Sequence, residues 1–554
     1  MRIKSRTTIL MLGTAQFIMV LDTTVMNVSI SQVVADLDTT VTQLQAAITA
    51  YTLVMAAFML TGAKLGDIWG RRRTFAIGLG VYGVGSLITA LSPSIAVLMI
   101  GWSGIEGLGA VLVIPAIAAL TAANYEGRER ALAFALLGGI AGAAAAAGPL
   151  IGGFMTTELS WRVVFAAETV TVAGILLFVR KIKDHPHEGG VKLDLVGAGL
   201  SALGMALTVF GILKISSWGF FTPTGALTIN GTRITPFGMS IVPFLILAGL
   251  VVLGVFTRWE GRVEREERVP LLRSDLLHIP QMRAGLSTVL SQYLILAGTF
   301  FVLPLYLQLV LGKDALETGL KILPISVAMV IAALLGPRLA TRLSPRRVVQ
   351  IGMLILFPSI IGLMATISPS LASGAFAASL AGFGAGIGLV ISQVGNVVMS
   401  SVPESRSSEA GGVQGAAQNL GQSLGTALIG AVLLTGLTTG FHERVQSDPA
   451  IPAQVQQQLV KGTEDGLQMV SKEQAEAAVK KAGLPPDQAE ATLDDYNDAQ
   501  IDALKHALFI ASSFVLVGLW FSRKLPAEPL SQEGAEAPGA PSPDQDEALP
   551  AVPA

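Results

Sequence analysis

The sequence predicts an all-α transmembrane protein of fourteen spans, built as two six-helix bundles with two further helices inserted between them. Three observations carry the prediction: the chain is apolar throughout, runs of membrane-spanning length recur fourteen times, and the first and last portions repeat each other. Of 554 residues, 51% are hydrophobic and 14% charged, and mean hydropathy is +0.62; a soluble domain carries about 25% charged residues. A hydrocarbon core ~30 Å thick needs about 20 apolar residues. Such runs lie at 8–33, 45–63, 74–92, 95–119, 130–155, 162–179, 195–213, 238–256, 285–310, 318–341, 347–367, 372–400, 408–437 and 503–521.

The repeat is clearest where Gly62-Ala-Lys-Leu-Gly-Asp67-Ile-Trp-Gly70-Arg71-Arg72-Arg73 returns as Gly336-Pro-Arg-Leu-Ala-Thr341, ending in Arg346-Arg347. Ser92-Pro93-Ser94 returns two residues out of that register as Ser368-Pro369-Ser370. If spans 1 to 6 correspond to spans 9 to 14, the ninth should begin near 284, and an apolar run does begin at Gly285. The chain then divides into a first bundle (1–190), an inserted pair with charged connectors (191–284), a second bundle (285–525) and a tail (526–554). The tail is rich in proline, alanine and acids and is expected to be disordered. Bundle duplication about a central site is how many secondary transporters are built.

The first run carries Asp22 and is too long for a cleavable signal sequence, so it is expected to persist as a helix. Basic residues fix the expected orientation. Arg2, Lys4 and Arg6, Arg71 to Arg73, Arg128 and Arg130, Arg180 to Lys183, Arg258 to Arg283, Arg346 and Arg347, and Arg523 and Lys524 fall on one side. The positive-inside rule makes that side cytoplasmic and puts both termini there, in the cell membrane. One large loop, 441–502, lies on the other side with twelve acidic and five basic residues. It reads as a small helical hairpin, either a lid over an exit path or a solvated insertion.

Three segments resemble the major facilitator superfamily, in particular its fourteen-span drug:proton antiporter branch of multidrug efflux type, and a fourth departs from it. The first is Leu21-Asp22-Thr23-Thr24-Val25-Met26-Asn27-Val28, although Ser29-Ile30-Ser31 follows where that branch has Ala-Leu-Pro. The second is the Gly62-to-Gly78 block, similar to the superfamily's loop motif between its second and third helices. The resemblance implies that Gly62, Asp67, Gly70, Arg71, Arg72 and Arg73 form a conformational latch; Thr341 takes the place of Asp67 in the second copy. The arginines alone are equally explained as positive-inside markers.

The third is Gly139 followed by Gly148-Pro149-Leu150-Ile151-Gly152-Gly153, similar to the motif that separates exporters from importers. Read without the family, Gly139, Gly148, Pro149, Gly152 and Gly153 give a helix face that another helix can approach closely, with a kink. The fourth is a departure. Where many antiporters carry Arg-x-x-Gln-Gly, this chain has Ser103-Gly104-Ile105-Glu106-Gly107, losing the base and gaining a carboxylate.

Asp22, Glu106 and Glu168 are acids inside predicted spans, all in the first repeat. A charge at a span centre costs about 2.5–3.5 kcal/mol on insertion scales, and desolvation penalises the charged form of a carboxyl group. These three are the candidate proton-coupling residues, with a structural pair or cap as the alternative for each; Asp22 could instead be wet or bonded to Asn27. The second half offers neutral groups: Gln292, Gln308, Gln393, Asn396, Gln414, Gln418 and Asn419. Together with Asn27, Tyr51, Trp102 and Tyr293, the amides Gln292, Gln308, Gln393, Asn396, Gln414 and Gln418 are the candidate substrate-binding residues. Amides also bind helices together, and aromatic residues also anchor spans.

The expected function is proton-coupled efflux of amphipathic or cationic small molecules by alternating access, and hence antibiotic resistance. Export of a lipid or a dedicated metabolite, or a receptor or scaffold role, are the alternatives. No cysteine is present, which excludes disulfides and thiolate metal sites. No phosphate-binding glycine loop and no catalytic constellation is evident, so no enzyme activity, cofactor or metal is expected. The expected partners are membrane lipid, protons and a small-molecule amphiphile. No nucleic acid and no obligate protein partner is expected, and the chain is read as a monomer.

Overall fold

The computed structural model describes residues 6–125, 127–183, 193–223, 228–229, 232–266, 268–340, 342–371, 373–402, 406–463 and 466–528. Thr341 and the tail from 529 onward lie outside the described residues. Long apolar stretches in lipid must satisfy their own backbone, and helices do so. Spans 1 to 7 are Arg6–Val28, Val41–Trp69, Arg71–Ala90, Ile95–Asn124, Gly127–Glu158, Trp161–Phe178 and Leu195–Leu213. Spans 8 to 14 are Val242–Arg265, Pro280–Leu305, Ala315–Ala340, Pro345–Thr366, Ser373–Met399, Ser407–Ser447 and Pro486–Ser522.

Side-chain caps set several starts. Thr40 accepts from Gln43 N, Ser160 from Arg162 N, and Ser344 from Arg347 N with Pro345 beside it at the first helical position. A two-residue antiparallel pair, Thr228–Ile229 with Thr232–Arg233, lies in the link between spans 7 and 8. Span 5 bends by 44° between Leu136–Ala145 and Ala147–Glu158. Pro149 has no N–H to give the carbonyl four residues back, Ala145. Ser326 of span 10 reaches that same carbonyl at 3.5 Å.

Spans 3 and 4 pack together in the first bundle, as do spans 11 and 12 in the second, and the two pairs use corresponding glycines. A Cβ on Gly78 would meet the Gly109 carbonyl, and one on Gly352 the Gly386 carbonyl. Gly62 likewise lets span 2 touch the backbone of span 4 at Val111, while Gly336 lets span 10 meet span 12 at Ser392. The sequence repeat is therefore a repeat of close helix contacts.

The bundles join through two related seams, span 2 against span 13 and span 5 against span 10. Spans 7 and 8 pack as a hairpin, and span 7 lies against spans 2 and 13, flanking the first seam. One face of the molecule carries Arg71–Arg73 and Arg346–Arg347, here the basic face; the other carries the 441–502 loop, here the loop face. That loop is shorter than expected from hydropathy. Span 13 runs on to Ser447 and span 14 starts at Pro486, leaving two short helices, Ala453–Gly462 and Lys472–Lys481, between them. The extensions hold because they pair with each other: Arg444 bridges to Asp498 and Asp502, and Phe441 meets Tyr496 edge-on.

The seams are tight near the loop face. Gln308 at the end of span 9 donates to Val28 O (2.6 Å) and accepts from Ser31 N (3.2 Å). Gln45 donates to Thr426 O (2.9 Å), and Ser423 to Thr49 O (3.1 Å). Gly153 meets the backbone of Ala315, and Gly319 that of Pro149. Toward the basic face spans 5 and 10 diverge: Gly142 reaches Val330 only at 3.9 Å, and Gly138 and Gly139 have open space where a side chain would stand.

Candidate functional site

Glycine again explains how the site is assembled. A Cβ on Gly85 of span 3 would run into the backbone and Cβ of Glu106, and one on Gly109 of span 4 into the backbone of Tyr82. Spans 3 and 4 thus meet backbone to backbone where Tyr82, Ser86 and Glu106 stand. The turn of span 4 from Met99 to Glu106 is a π-helix. Such wide turns are concentrated at functional sites, and this one carries Trp102, Ser103 and Glu106 at the interior face.

Asp22 from span 1, Glu106 from span 4 and Glu168 from span 6 converge there. One carboxyl oxygen from each lies within 4.8 Å of the other two. All three residues are buried, at 0%, 0% and 2% exposure. Trp102 Nε1 donates to both oxygens of Asp22, at 2.9 and 3.1 Å. Its ring stacks on Tyr51, with centroids 4.7 Å apart and planes 7° from parallel.

Ser86 Oγ lies 3.0 Å from Glu106 Oε2 and 3.3 Å from Glu168 Oε2. Tyr82 OH donates to that same Glu168 oxygen at 3.2 Å. Among the described residues, Glu106 Oε1 and Glu168 Oε1 have no hydrogen-bond partner. Among the described residues, no lysine, arginine or histidine is fully buried, so three acids share this interior without a buried base. By position along their helices, all of these side chains sit in the half of the first bundle nearer the loop face. A dedicated calcium cage takes six to eight oxygens, and here an indole N–H donor occupies both Asp22 oxygens.

Asn27 is not the partner of Asp22: its amide donates to Thr23 O of its own helix at 2.7 Å. Of the expected substrate residues, only Tyr51 and Trp102 join the acids. Gln308 lies at the loop-face seam described above. Gln292 is buried with Nε2 unpartnered, and Gln414 keeps Oε1 unpartnered beside Gly395. Gln393 donates to Ser392 Oγ at 3.1 Å, Tyr293 and Gln418 are half-buried, and Asn396 is exposed.

In the glycine–arginine block, Gly70 has φ of +90° and makes the turn between spans 2 and 3. Arg71 donates to Ala119 O (3.3 Å) and Arg72 to Ile182 O (3.2 Å), fastening the ends of spans 4 and 6, while Arg73 is exposed and Asp67 half-buried. Gly148 and Gly152 seat span 5 on Thr24 and Val25 of span 1, and Gly153 seats it on span 10. Sequence reasoning found the three acids as charges in apolar runs but missed Tyr82 and Ser86. Hydroxyls are common in spans and bond to their own helix, so only the fold singles these two out.

The chain is 30% identical over 333 residues to the cephamycin export protein CmcT of Amycolatopsis lactamdurans, covering 59% of this chain and 64% of that one. It is 29% identical over 360 residues to the puromycin resistance protein pur8 of Streptomyces alboniger, covering 64% and 66%. The matched part thus spans just under two thirds of these relatives' length. The fold is similar to a crystal structure of a bacterial homologue of the human lysosomal transporter Spinster, inward-facing and unoccupied. The TM-score is 0.57 at 14% identity, covering 94% of this chain and 98% of the other. The profile of the Major Facilitator Superfamily matches residues 12–426, and the chain belongs to that superfamily.

Proposed function

We propose that this protein exports amphipathic or cationic small molecules across the cell membrane in exchange for protons, with the basic face and both termini in the cytoplasm. The observation that carries the reading is the group of three buried carboxyls within 4.8 Å of one another with, among the described residues, no buried base beside them. Two unit charges ~4 Å apart repel by about 4 kcal/mol at an effective dielectric constant of 20. Full ionisation of the three is therefore strongly disfavoured, and the site binds protons whenever no other cation offsets the charge.

A substrate cation, or a neutral amphiphile that reorganises the Tyr51–Trp102 stack over Asp22, competes with those protons. Proton entry from the loop face, where the seams would part, then favours substrate release; proton loss on the cytoplasmic side restores the site. The unpaired amide atoms of Gln292 and Gln414 are the polar contacts offered by the second bundle. The names of the relatives, which export cephamycin or confer puromycin resistance, support the export direction. So do the glycines at 148, 152 and 153, which let span 5 lie against both span 1 and span 10.

Glu106→Gln keeps the size of the side chain and removes its titration. In proteoliposomes with an imposed pH gradient, wild-type protein should move protons when a lipophilic cation such as ethidium is supplied. The variant should bind the cation and move no protons. Full substrate-driven proton movement by the variant would falsify the assignment.

A further inference from the structure

We infer that Ser86 is a proton-relay residue joining Glu106 to Glu168, and that Glu106 is the acid that holds the shared proton in the conformation seen here. This rests on the proton-coupled reading of the same site.

A serine hydroxyl has one hydrogen to donate and lone pairs to accept, yet Ser86 Oγ lies within hydrogen-bond distance of two carboxyl oxygens, Glu106 Oε2 and Glu168 Oε2. It can donate to one of them only. The other contact is favourable only if that carboxyl group is protonated and donates to the serine. Two buried acceptors facing one hydroxyl hydrogen would otherwise leave a lone-pair clash, and unpaired buried polar groups are costly.

The surrounding donors decide which acid carries the proton. Glu168 Oε2 already receives the Tyr82 hydroxyl (3.2 Å), and Asp22 receives the Trp102 N–H on both oxygens. Both are thus equipped as acceptors. Glu106 has Ser86 as its foremost hydroxyl partner and Tyr82 only as a weaker second, and among the described residues its other oxygen, Oε1, is unpartnered. The chain of bonds runs from Glu106 O–H to Ser86 Oγ, and from Ser86 O–H to Glu168 Oε2.

Transfer along this chain is balanced. As the Glu106 O–H bond breaks and its proton joins Ser86 Oγ, the serine's own proton leaves for Glu168 Oε2. Glu106 ends as a carboxylate, Glu168 as a carboxylic acid, and serine is unchanged. One proton has crossed from span 4 to span 6 with no ion left on span 3. The titratable groups facing the path are Asp22 of span 1, Tyr51 of span 2, Tyr82 of span 3 and the two glutamates.

Two measurements test this in nanodiscs: ethidium-triggered proton release followed with a pH dye, and its rate in mixed light and heavy water. Wild-type protein should give a curved proton inventory, the signature of two protons in flight. Ser86→Ala should release the same number of protons at least tenfold more slowly with a linear inventory, and Ser86→Thr, which keeps the hydroxyl, should recover the curvature. Thermal melting of each variant checks folding. If Thr does not fit, Tyr82→Phe, which strips one donor from Glu168 without changing the ring, should also slow release. A Ser86→Ala variant with wild-type rate and inventory overturns the relay. Loss of release in Glu106→Gln alongside that result leaves the coupling site standing, whereas full release in Glu106→Gln removes the site itself.

Discussion

At the scale of single residues, the glycines that bring spans 3 and 4 together govern the site as much as its acids do. Gly85 and Gly80 lie on the same helix, but a Cβ on Gly85 would press on the backbone of Glu106, whereas one on Gly80 meets nothing within 4 Å. Gly85→Ala must push the helices apart, at a cost of about 1–3 kcal/mol as for other overpacked interiors, and it must move Glu106 relative to Ser86. Gly80→Ala should melt and transport like wild type. Thermal unfolding in detergent and substrate-driven proton release measure the two effects, and equal behaviour of both variants would contradict this account. The acids were legible in the sequence because a carboxylate in an apolar run is conspicuous. Gly85 was not, being one of 60 glycines, and nothing in its neighbours marks which face it occupies.

At the scale of elements, hydropathy located every span, because a bilayer demands apolar length, but it did not show where the helices stop. Spans 13 and 14 continue past their apolar runs through amphipathic residues that pair across the loop face, such as Arg444 with Asp498 and Asp502. The bend in span 5 was legible from Pro149; the hydroxyl that answers it, Ser326, comes from a distant helix and was not. A comparable tertiary link holds the connector between spans 8 and 9. Asp275, in the short helix Ser274–His278, takes both nitrogens of Arg406 at 2.7 and 2.8 Å, just before span 13 begins. The Arg406 hydrogen bond, with its charge, holds the Asp275 carboxyl below the usual carboxylate range.

A carboxyl whose folded-state pKa is lowered stabilises the fold above its unfolded value, and that contribution fades as pH falls through the folded value. Asp275→Asn should therefore speed amide exchange in residues 274–278 at pH 7, and variant and wild type should converge below about pH 3, under the ordinary Asp value near 3.9. The pair is half-exposed, so the effect is at most about 1 kcal/mol, or roughly fivefold in protection. An unchanged ratio from pH 7 to pH 3 would mean that the ion pair does not hold the connector.

At the scale of the whole molecule, the two halves form a symmetric frame with an asymmetric interior. The frame was legible, since Gly62 and Gly78 recur as Gly336 and Gly352 at one offset and make corresponding contacts. The asymmetry was legible too: among the described residues every fully buried acid lies before span 9, and the second bundle buries only neutral polar side chains. What sequence could not show is which end of the seams is closed. Gln308 ties the end of span 9 to the link after span 1 through Val28 O and Ser31 N, while spans 5 and 10 part toward the basic face. On the alternating access proposed above, rocking the halves breaks the Gln308 bonds each time the acids meet the far side. Because the chain has no cysteine, a pair placed at Ser31 and Gln308 reports on this motion without background. Ser31→Cys retains the backbone N–H, and the unlinked double variant should still transport. Joined by a short bis-methanethiosulfonate reagent it should stop, and reductant should restore it. Continued proton-coupled flux through the linked protein would show that the seam stays shut throughout the cycle, which alternating access forbids.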